Sequence, residues 1–215
     1  MSRLLGKLVS KSRRLTLDRA GAAGNFVAPM SQLSPNAFKS VIDIDILGSF
    51  NVAKVALPHL IASAHKSKQD PARGPGGRVI FISATFHYTG WPMQTHVAAA
   101  KAAVDALSAN IAIEYGPHGV TSNVITPGPI EGTEGMKRLA NLSNTTKNGA
   151  RTIPLQRMGT VKNIADATVY LFTDTGDYVN GEVLVVDGGA WRTMGTGVGD
   201  GANYPACVMS TKPKL

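Results

Sequence analysis

The chain has 215 residues, enough for one full domain with its own core, and its content of 43% hydrophobic and 17% charged residues is typical of a globular protein. Its net charge of +8 does not indicate nucleic-acid binding, because six of the 22 basic side chains lie in residues 1–19 and no basic stripe interleaved with aromatic residues follows. No apolar run approaches the ~20 residues that span a bilayer, and a single cysteine, Cys207, rules out an internal disulfide and suits a reducing compartment.

The first segment, residues 1–19, is basic, rich in Ser and Leu and almost free of acidic side chains. This composition is compatible with a transit peptide. It also fits a start that does not belong to the domain that follows, and we favour this second reading for a reason given below. Residues 20–26 are a turn of small residues, where a backbone can approach a ligand closely.

Helices and strands alternate along the rest of the chain. A long helix begins at Pro35, because Ser34 is a suitable N-cap and proline fits the first helical position, and apolar residues recur to about Leu60. The other predicted elements are, in chain order, a polar surface loop over 66–77, a buried strand over 78–83, a loop over 84–94, a helix over 95–115, a strand over 121–126, helices over 132–148 and 161–172, a strand over 182–186 and a Gly-rich tail from Trp191. This alternation predicts an α/β fold, a doubly wound parallel sheet with helices on both faces.

Three segments lie at predicted strand ends, and we therefore expect them to meet at one edge of this sheet. They are residues 20–26, Ser83, and the pair Pro127 and Gly128. Because ligands of such sheets bind at the carboxyl ends of the strands, we expect a ligand site at this edge. The mildly basic body of the chain suits an anionic ligand, such as a dinucleotide or a coenzyme A thioester.

The beginning of the chain lacks the phosphate-binding turn that a dinucleotide fold needs. That turn is Gly-rich and leads directly into a helix whose N-terminus holds the pyrophosphate. Residues 20–24 match it poorly, and no helix starts at once after them. The sequence therefore predicts a Rossmann-like domain that is amino-terminally truncated, without its first strand, first helix and second strand.

A lysine in an apolar helix, followed by a strand that ends in Pro-Gly, gives this sequence a recognisable layout. Lys101 is the lysine, and Pro127 and Gly128 end the strand. With these features the chain resembles the short-chain dehydrogenase/reductase family and, within it, the fungal peroxisomal 2,4-dienoyl-CoA reductases. The segments that carry the resemblance are residues 21–26, 33–45, 87–97 and 114–120. The match starts abruptly near residue 20, so we divide the chain into a non-family segment over 1–19, a partial family domain over 20–191 and a flexible tail over 192–215.

The resemblance implies unusual proton chemistry. A typical member of the family has a tyrosine four residues before the lysine and an asparagine in the preceding long helix, and here Val97 and Asp45 stand at those positions. Because valine cannot transfer a proton, chemistry on a carbonyl oxygen loses its usual acid, whereas the dienoyl-CoA reductases work without that tyrosine. Asp45 and Lys101 are thus the candidate catalytic residues, with Asp45 holding or donating a proton through water.

Simpler readings of three of these residues stay open at this stage. Asp45 can be a solvated helix residue, although its apolar neighbours favour burial, and Lys101 can extend from its helix into solvent. His96 suits packing or a hydrogen bond better than proton donation.

The resemblance also implies which residues contact the cofactor and the substrate. The candidate cofactor contacts are Ala22, Gly24, Lys101, Pro127, Gly128, Ile130 and Thr133. The candidate substrate contacts are Asn25, Phe26, Ser83, Tyr88, Trp91 and His96. Ser83 lies near the family's usual catalytic serine, although ungapped spacing from Val97 points to Ala84 instead. No metal site is expected.

The expected function is NADPH-dependent reduction of 2,4-dienoyl-CoA to 3-enoyl-CoA in the β-oxidation of unsaturated fatty acids, with a fatty acyl-CoA as substrate. One alternative is an inactive, truncated member that acts only as a subunit, and another is a different enoyl or carbonyl reductase of the family. The final tripeptide, Pro213, Lys214 and Leu215, resembles the Ser-Lys-Leu peroxisomal signal. This resemblance favours binding to a peroxisomal import receptor, and a peroxisomal over a cytoplasmic or mitochondrial location. A homo-oligomer is expected by analogy.

Overall fold

Four parallel strands form the centre of the structure. The computed structural model describes residues 17–20, 23–69, 76–140, 150 and 153–193. Its strands are β1 (Leu17–Ala20), β2 (Gly77–Ile82), β3 (Val120–Pro127) and β4 (Val183–Val186), and they are hydrogen-bonded in the order β1-β2-β3-β4. All three pairs are parallel. Each connection is therefore a crossover, which carries the chain from the carboxyl end of one strand back to the amino end of the next.

Helices cover both faces of this sheet. They are α1 (Pro35–Ile42), α2 (Gly48–Gln69), α3 (Phe86–Thr89), α4 (Thr95–Tyr115), α5 (Glu134–Ala140), α6 (Val161–Phe172) and α7 (Ala190–Thr193). Leu60 of α2 and Val104 of α4 pack with Phe81 on one face, whereas Leu171 of α6 packs with Ile80 on the other. Successive strand residues point to opposite faces, so the alternation at Ile80 and Phe81 builds both cores. Helices on both faces of a parallel sheet confirm the predicted α/β architecture, and none of the described helices is long and apolar enough to cross a membrane.

Most predicted elements are confirmed, with shifted ends. The helices over 95–115 and 161–172 have the predicted bounds. Helix α2 continues to Gln69, four residues into the predicted surface loop, and α7 lies where the Gly-rich tail was expected to begin. Strand β1 ends at Ala20, so the predicted domain boundary at residue 20 falls at the end of this strand. Of the predicted helix over 132–148 the structure describes Glu134–Ala140.

A π-helical segment, Asp43–Leu47, interrupts the long helix that the sequence predicted as continuous. The Gly48 N–H bonds back to the Asp43 carbonyl, five residues earlier, and the Ser49 hydroxyl donates to the Asp45 carbonyl at 2.5 Å. This hydroxyl competes with a backbone donor for the same carbonyl, which locally favours departure from α-helical bonding. Single π-helical turns occur frequently at functional sites, and this one carries Asp45.

Candidate active site

Asp45 has a fully buried side chain, 0% exposed, at the centre of the π-helical segment. Its Oδ1 accepts a hydrogen bond from the Gly24 backbone nitrogen at 2.7 Å, and its Oδ2 lies 3.3 Å from Nζ of Lys101. The Gly24 amide satisfies Oδ1, whereas Oδ2 lies at ion-pair distance from Lys101 and has no hydrogen-bond partner among the described residues. The prediction that Asp45 is buried is confirmed, and the solvated alternative is wrong.

Lys101 projects from α4 and is also buried. Its Nζ donates to the Ile82 carbonyl at 3.0 Å, at the carboxyl end of β2, and forms the ion pair with Asp45. The reading in which this lysine extends into solvent is therefore wrong. An ammonium has three donors, and the described residues supply no acceptor other than these two. One N–H is therefore available to a ligand hydroxyl.

Val97, in the position of the usual tyrosine, belongs to an apolar cluster. It is buried together with Val41 and Ala100, and Phe26 and Phe86 pack against them. None of these side chains can exchange a proton. The structure therefore supplies no substitute for the tyrosine at this position, and Asp45 and Lys101 are the ionisable groups that meet in the core here.

Residues 24–28, which we call the Phe26 strap, connect Asp45 to the start of α4. The Phe26 carbonyl accepts two hydrogen bonds, from Nε2 of Gln94 and from Nε2 of His96, both at 3.1 Å. The ring of His96 stacks on that of Phe26 with 4.2 Å between centroids, and the Ala28 amide donates to the Met93 carbonyl. Because Gly24 begins the strap, one short segment contacts both the carboxylate and the histidine.

The environment of His96 favours a neutral ring. Burial lowers the pKa of His96, and the Phe26 carbonyl and the charge of Asp45 oppose that effect only in part. A carbonyl can only accept, so Nε2 carries the proton, and Nδ1 is left with a lone pair that has no hydrogen-bond partner among the described residues. Packing and hydrogen bonding by His96 agree with the sequence reading, whereas its contact with an acyl chain stays a prediction.

A second polar group, the His87 cluster, comprises His87, Tyr88 and Asp105. Both ring nitrogens of His87 face acceptors, Nδ1 the Ala84 carbonyl at 2.5 Å and Nε2 the Asp105 Oδ2 at 2.9 Å, and the Tyr88 hydroxyl donates to the same Oδ2. Burial alone would raise the pKa of Asp105, but the hydrogen bonds from His87 and Tyr88 outweigh it and hold that pKa below its usual value. Burial, and then the bond to Asp105, raises the pKa of Tyr88. The cluster ties α3 to α4.

The remaining candidate substrate residues lie around these two groups. Ser83 follows β2 directly and is buried, and its hydroxyl lies near the Asp105 carboxylate, whose pKa it helps to lower. Asn25 is a partly buried member of the Phe26 strap, and Trp91 is 40% exposed in the loop before α4. The structure brings Phe26 and His96 into contact with each other, while Tyr88 is bonded to Asp105. Substrate contact by these residues stays a prediction.

The candidate cofactor residues after β3 form a compact turn. The Gly128 amide donates to the Val186 carbonyl at 3.1 Å, and a Cβ at Gly128 would lie 2.5 Å from Cβ of Asp187. Only glycine fits such a close approach, so Pro127 and Gly128 are held against the end of β4.

Ile130 and Thr133 continue this turn towards α5. Ile130 is buried and bridges Gly159, so its side chain faces protein. The Thr133 hydroxyl donates to the Ile130 carbonyl at 2.8 Å. Contact of this segment with a cofactor stays a prediction. Ala22 lies outside the described residues.

Comparison with known proteins places this geometry in context. A family model described as enoyl-(acyl carrier protein) reductase matches residues 14–190. A peroxisomal 2,4-dienoyl-CoA reductase of Saccharomyces cerevisiae, described as (3E)-enoyl-CoA-producing, is 51% identical over 97% of this chain and 67% of its own length. Its counterpart from Danio rerio is 43% identical over 82% of this chain and 55% of its own length. A gluconate 5-dehydrogenase from Burkholderia cenocepacia, solved in complex with NADP and tartrate, superposes with a TM-score of 0.77 at 25% identity, covering 89% of this chain and 70% of that one.

The chain belongs to the short-chain dehydrogenase/reductase family. The structural superposition confirms the Rossmann-like fold predicted from the sequence. The family match begins at residue 14, so β1 belongs to the family domain although the sequence reading placed residues 1–19 outside it. The chain spans between 55% and 67% of the length of the two curated relatives.

Three residues of this family member were missed by sequence reasoning. Gln94, His87 and Asp105 are polar side chains in or beside an apolar helix, and no motif spacing singles them out. Two of their acceptors, the carbonyls of Phe26 and Ala84, are main-chain atoms, which carry no residue-type signal. The one available signal was the run of polar residues from Gln94 to His96 at the start of an apolar helix.

Proposed function

We propose that this chain carries the catalytic site of an NADPH-dependent 2,4-dienoyl-CoA reductase that forms 3-enoyl-CoA in the breakdown of unsaturated fatty acids. The observation that carries the proposal is the buried ion pair of Asp45 and Lys101 beside Val97. The two curated relatives, both named peroxisomal 2,4-dienoyl-CoA reductases, support the same substrate class.

The proposed reaction requires a proton donor for a carbon atom of the substrate. It requires no donor for a carbonyl oxygen, because no alcohol is formed. A hydride adds to carbon 5 of the dienoyl thioester, the electrons shift towards the thioester oxygen, and a proton adds to carbon 2, which leaves one double bond between carbons 3 and 4. NADPH, when bound, supplies the hydride. Asp45 holds the proton in this scheme and delivers it through water, since it is the buried carboxylate of the Asp45–Lys101 pair. A tyrosine at the position of Val97 is not required.

The residues around Lys101 fit a dinucleotide. The third N–H of its ammonium is available to a ribose hydroxyl, and its charge lies at the carboxyl end of β2. The turn at Pro127 and Gly128 ends the neighbouring strand, so its main chain would line the nicotinamide. Ile130, Thr133 and Gly24 complete the group of described residues that would hold the cofactor. The NADP of the gluconate 5-dehydrogenase supports NADPH for this chain.

The decisive experiment measures oxidation of NADPH by the purified chain with 2,4-hexadienoyl-CoA, with product identification by mass spectrometry. We expect turnover to 3-hexenoyl-CoA, and none with 2-hexenoyl-CoA or simple ketones. Reduction of ketones without reduction of the dienoyl thioester would indicate a carbonyl reductase instead. A folded chain that neither binds NADPH nor turns over would support the alternative of an inactive subunit.

We also propose a peroxisomal location and a homo-oligomer. The names of the two relatives and the final tripeptide, which lies outside the described residues, support the first. Apolar side chains exposed on the helices, among them Phe50 and Ile113, support the second. A fluorescent protein fused to the amino terminus should enter peroxisomes and lose that location when residues 213–215 are removed. Light scattering at two protein concentrations measures the oligomeric state.

A further inference from the structure

Two segments that are distant in sequence are joined at Phe26. One is the Phe26 strap, and the other is the start of α4, where Gln94 directly precedes the helix and His96 lies in its first turn. The strap also donates the Gly24 N–H to Asp45 at 2.7 Å. The contacts therefore run in an unbroken order from the histidine ring, through a backbone carbonyl, to the carboxylate.

The turn before α4 is itself held by tertiary contacts. Met93 has φ +64°, in the left-handed region that side chains other than glycine rarely adopt. Its carbonyl accepts hydrogen bonds from the Ala28 amide and from Nε2 of Gln94. Such a conformation persists only where the surroundings determine it, and here they include the Ala28 amide of the strap.

We propose that His96 is a positioning residue for Asp45: its Nε2–H fixes the Phe26 carbonyl and thereby holds the Gly24 amide on the carboxylate. This inference deepens the proposed function, because it concerns the group assigned to proton delivery there. Gln94 shares the acceptor, but only His96 also stacks on the Phe26 ring. The histidine therefore restrains both the carbonyl and the side chain of Phe26.

The orientation of the Asp45 carboxylate depends on the strap. Lys101 binds Oδ2 alone, so the amide of Gly24 is the contact that fixes Oδ1. A shift of the strap breaks this contact without any change at Lys101. The unpaired Nδ1 of His96 takes no part, and the arrangement requires the tautomer with the proton on Nε2.

The test compares His96→Gln with His96→Leu, because the glutamine amide can place a donor near the position of Nε2 and leucine cannot. The readout is hydrogen exchange of the Gly24 amide by NMR, which needs no turnover and so is independent of the proposed function. We expect the Gly24 amide to exchange about tenfold faster in His96→Leu, because a tenfold change corresponds to the loss of roughly one hydrogen bond. In His96→Gln we expect exchange near the wild-type rate. The Asp45→Asn variant assigns the resonance of the Gly24 amide, because this resonance shifts when the acceptor of its hydrogen bond is replaced.

A wild-type exchange rate of the Gly24 amide in a folded His96→Leu chain would overturn the proposal. An equal rise of that rate in His96→Leu and His96→Gln would also overturn it, because ring stacking and not the Nε2–H would then hold the strap. If His96→Leu does not fold, the ring nitrogen resonances of His96 in the wild-type chain decide. The Nε2–H tautomer supports the proposal, and the Nδ1–H tautomer overturns it. In a chain that turns over dienoyl-CoA, we also expect His96→Leu to lower kcat with little change in KM for NADPH, and His96→Gln to recover it.

Discussion

At the scale of single residues, Asp45 is a carboxylate buried between a backbone amide and an ammonium. Replacing it by asparagine keeps the shape but removes the group that can hold and release a proton. We expect Asp45→Asn to lower kcat for dienoyl-CoA by about 100-fold or more, the usual contribution of general acid–base catalysis. Binding of NADPH, measured by fluorescence titration, should change much less.

The matched control is Asp43→Asn. Asp43 lies in the same π-helical segment, two residues away, but its carboxylate is partly exposed and pairs with Lys39 on the surface. Exposed pairs of this kind contribute about 0–1 kcal/mol, so activity and stability should stay near wild type. Loss of activity in both variants would attribute the effect to the helix and not to the Asp45 carboxyl group.

Val97 provides a second test at this scale. Because it is buried beside Ala100 and Phe86, a tyrosine has no room, and overpacking of this kind costs about 1–3 kcal/mol. We expect Val97→Tyr to lower the free energy of unfolding by that amount in urea titrations and to create no ketone reductase activity. Ala99→Tyr, at an exposed position of the same helix, should be close to neutral. A stable Val97→Tyr chain that reduces ketones would contradict this view of the site.

At the scale of elements, the His87 cluster fastens the short helix α3 to α4 through Asp105. We expect Asp105→Ala to lower the free energy of unfolding at neutral pH by about 1–3 kcal/mol, because it removes the acceptor of a buried histidine and of a tyrosine. The folded-state pKa of Asp105 lies below its unfolded value. Its contribution is therefore complete above about pH 4 and is lost as the pH falls further.

Urea titrations between pH 3 and pH 7 check this dependence, with Asp166→Ala as the control. Asp166 pairs with Lys162 one turn away on the exposed surface of α6, so its removal should matter little at any pH. A difference between wild type and Asp105→Ala that stays constant down to about pH 3 would show that the carboxylate charge is not what fastens the two helices.

Sequence periodicity predicted the elements well where one pattern extends over many residues. The helix Thr95–Tyr115 is an example, since its apolar positions are regular and Gly116 and Pro117 end it. The π-helical turn at Asp45 was not predictable in this way, because five residues are too few to show a change of helical period. The pairing of β1 with β2 was also missed, because a strand of four residues, two of them charged, gives little signal.

The site was predictable to the extent that side chains carry it. Asp45 and Lys101 were expected together from the resemblance, and the structure brings them within 3.3 Å. The strap that holds Asp45 acts through the amide of Gly24 and the carbonyl of Phe26. Any sequence supplies such atoms, so only the folded backbone shows which of them meet.

At the scale of the whole molecule, the contacts of Asp45 join three parts of the chain: the segment after β1, the π-helical turn and α4. A ligand that binds Lys101 at the edge of the sheet therefore stabilises all of them at once. Binding to the folded state alone raises the free energy of unfolding by about 2.7 kcal/mol at a ligand concentration one hundred times Kd. We expect NADPH to raise the Tm of the chain accordingly in a concentration series.

Lys101→Met should reduce this rise in Tm, because it removes the N–H that is available to a ribose hydroxyl, while Lys162→Met on the exposed face of α6 should leave it unchanged. Removing Lys101 also leaves the buried Asp45 without its counter-ion, a loss of about 3–5 kcal/mol, so each variant is compared with its own ligand-free Tm. The concentration series therefore separates ligand binding from basal stability. An unchanged response in Lys101→Met would place the cofactor away from this lysine, and the assignment of the edge beside β2 as its site would then be wrong.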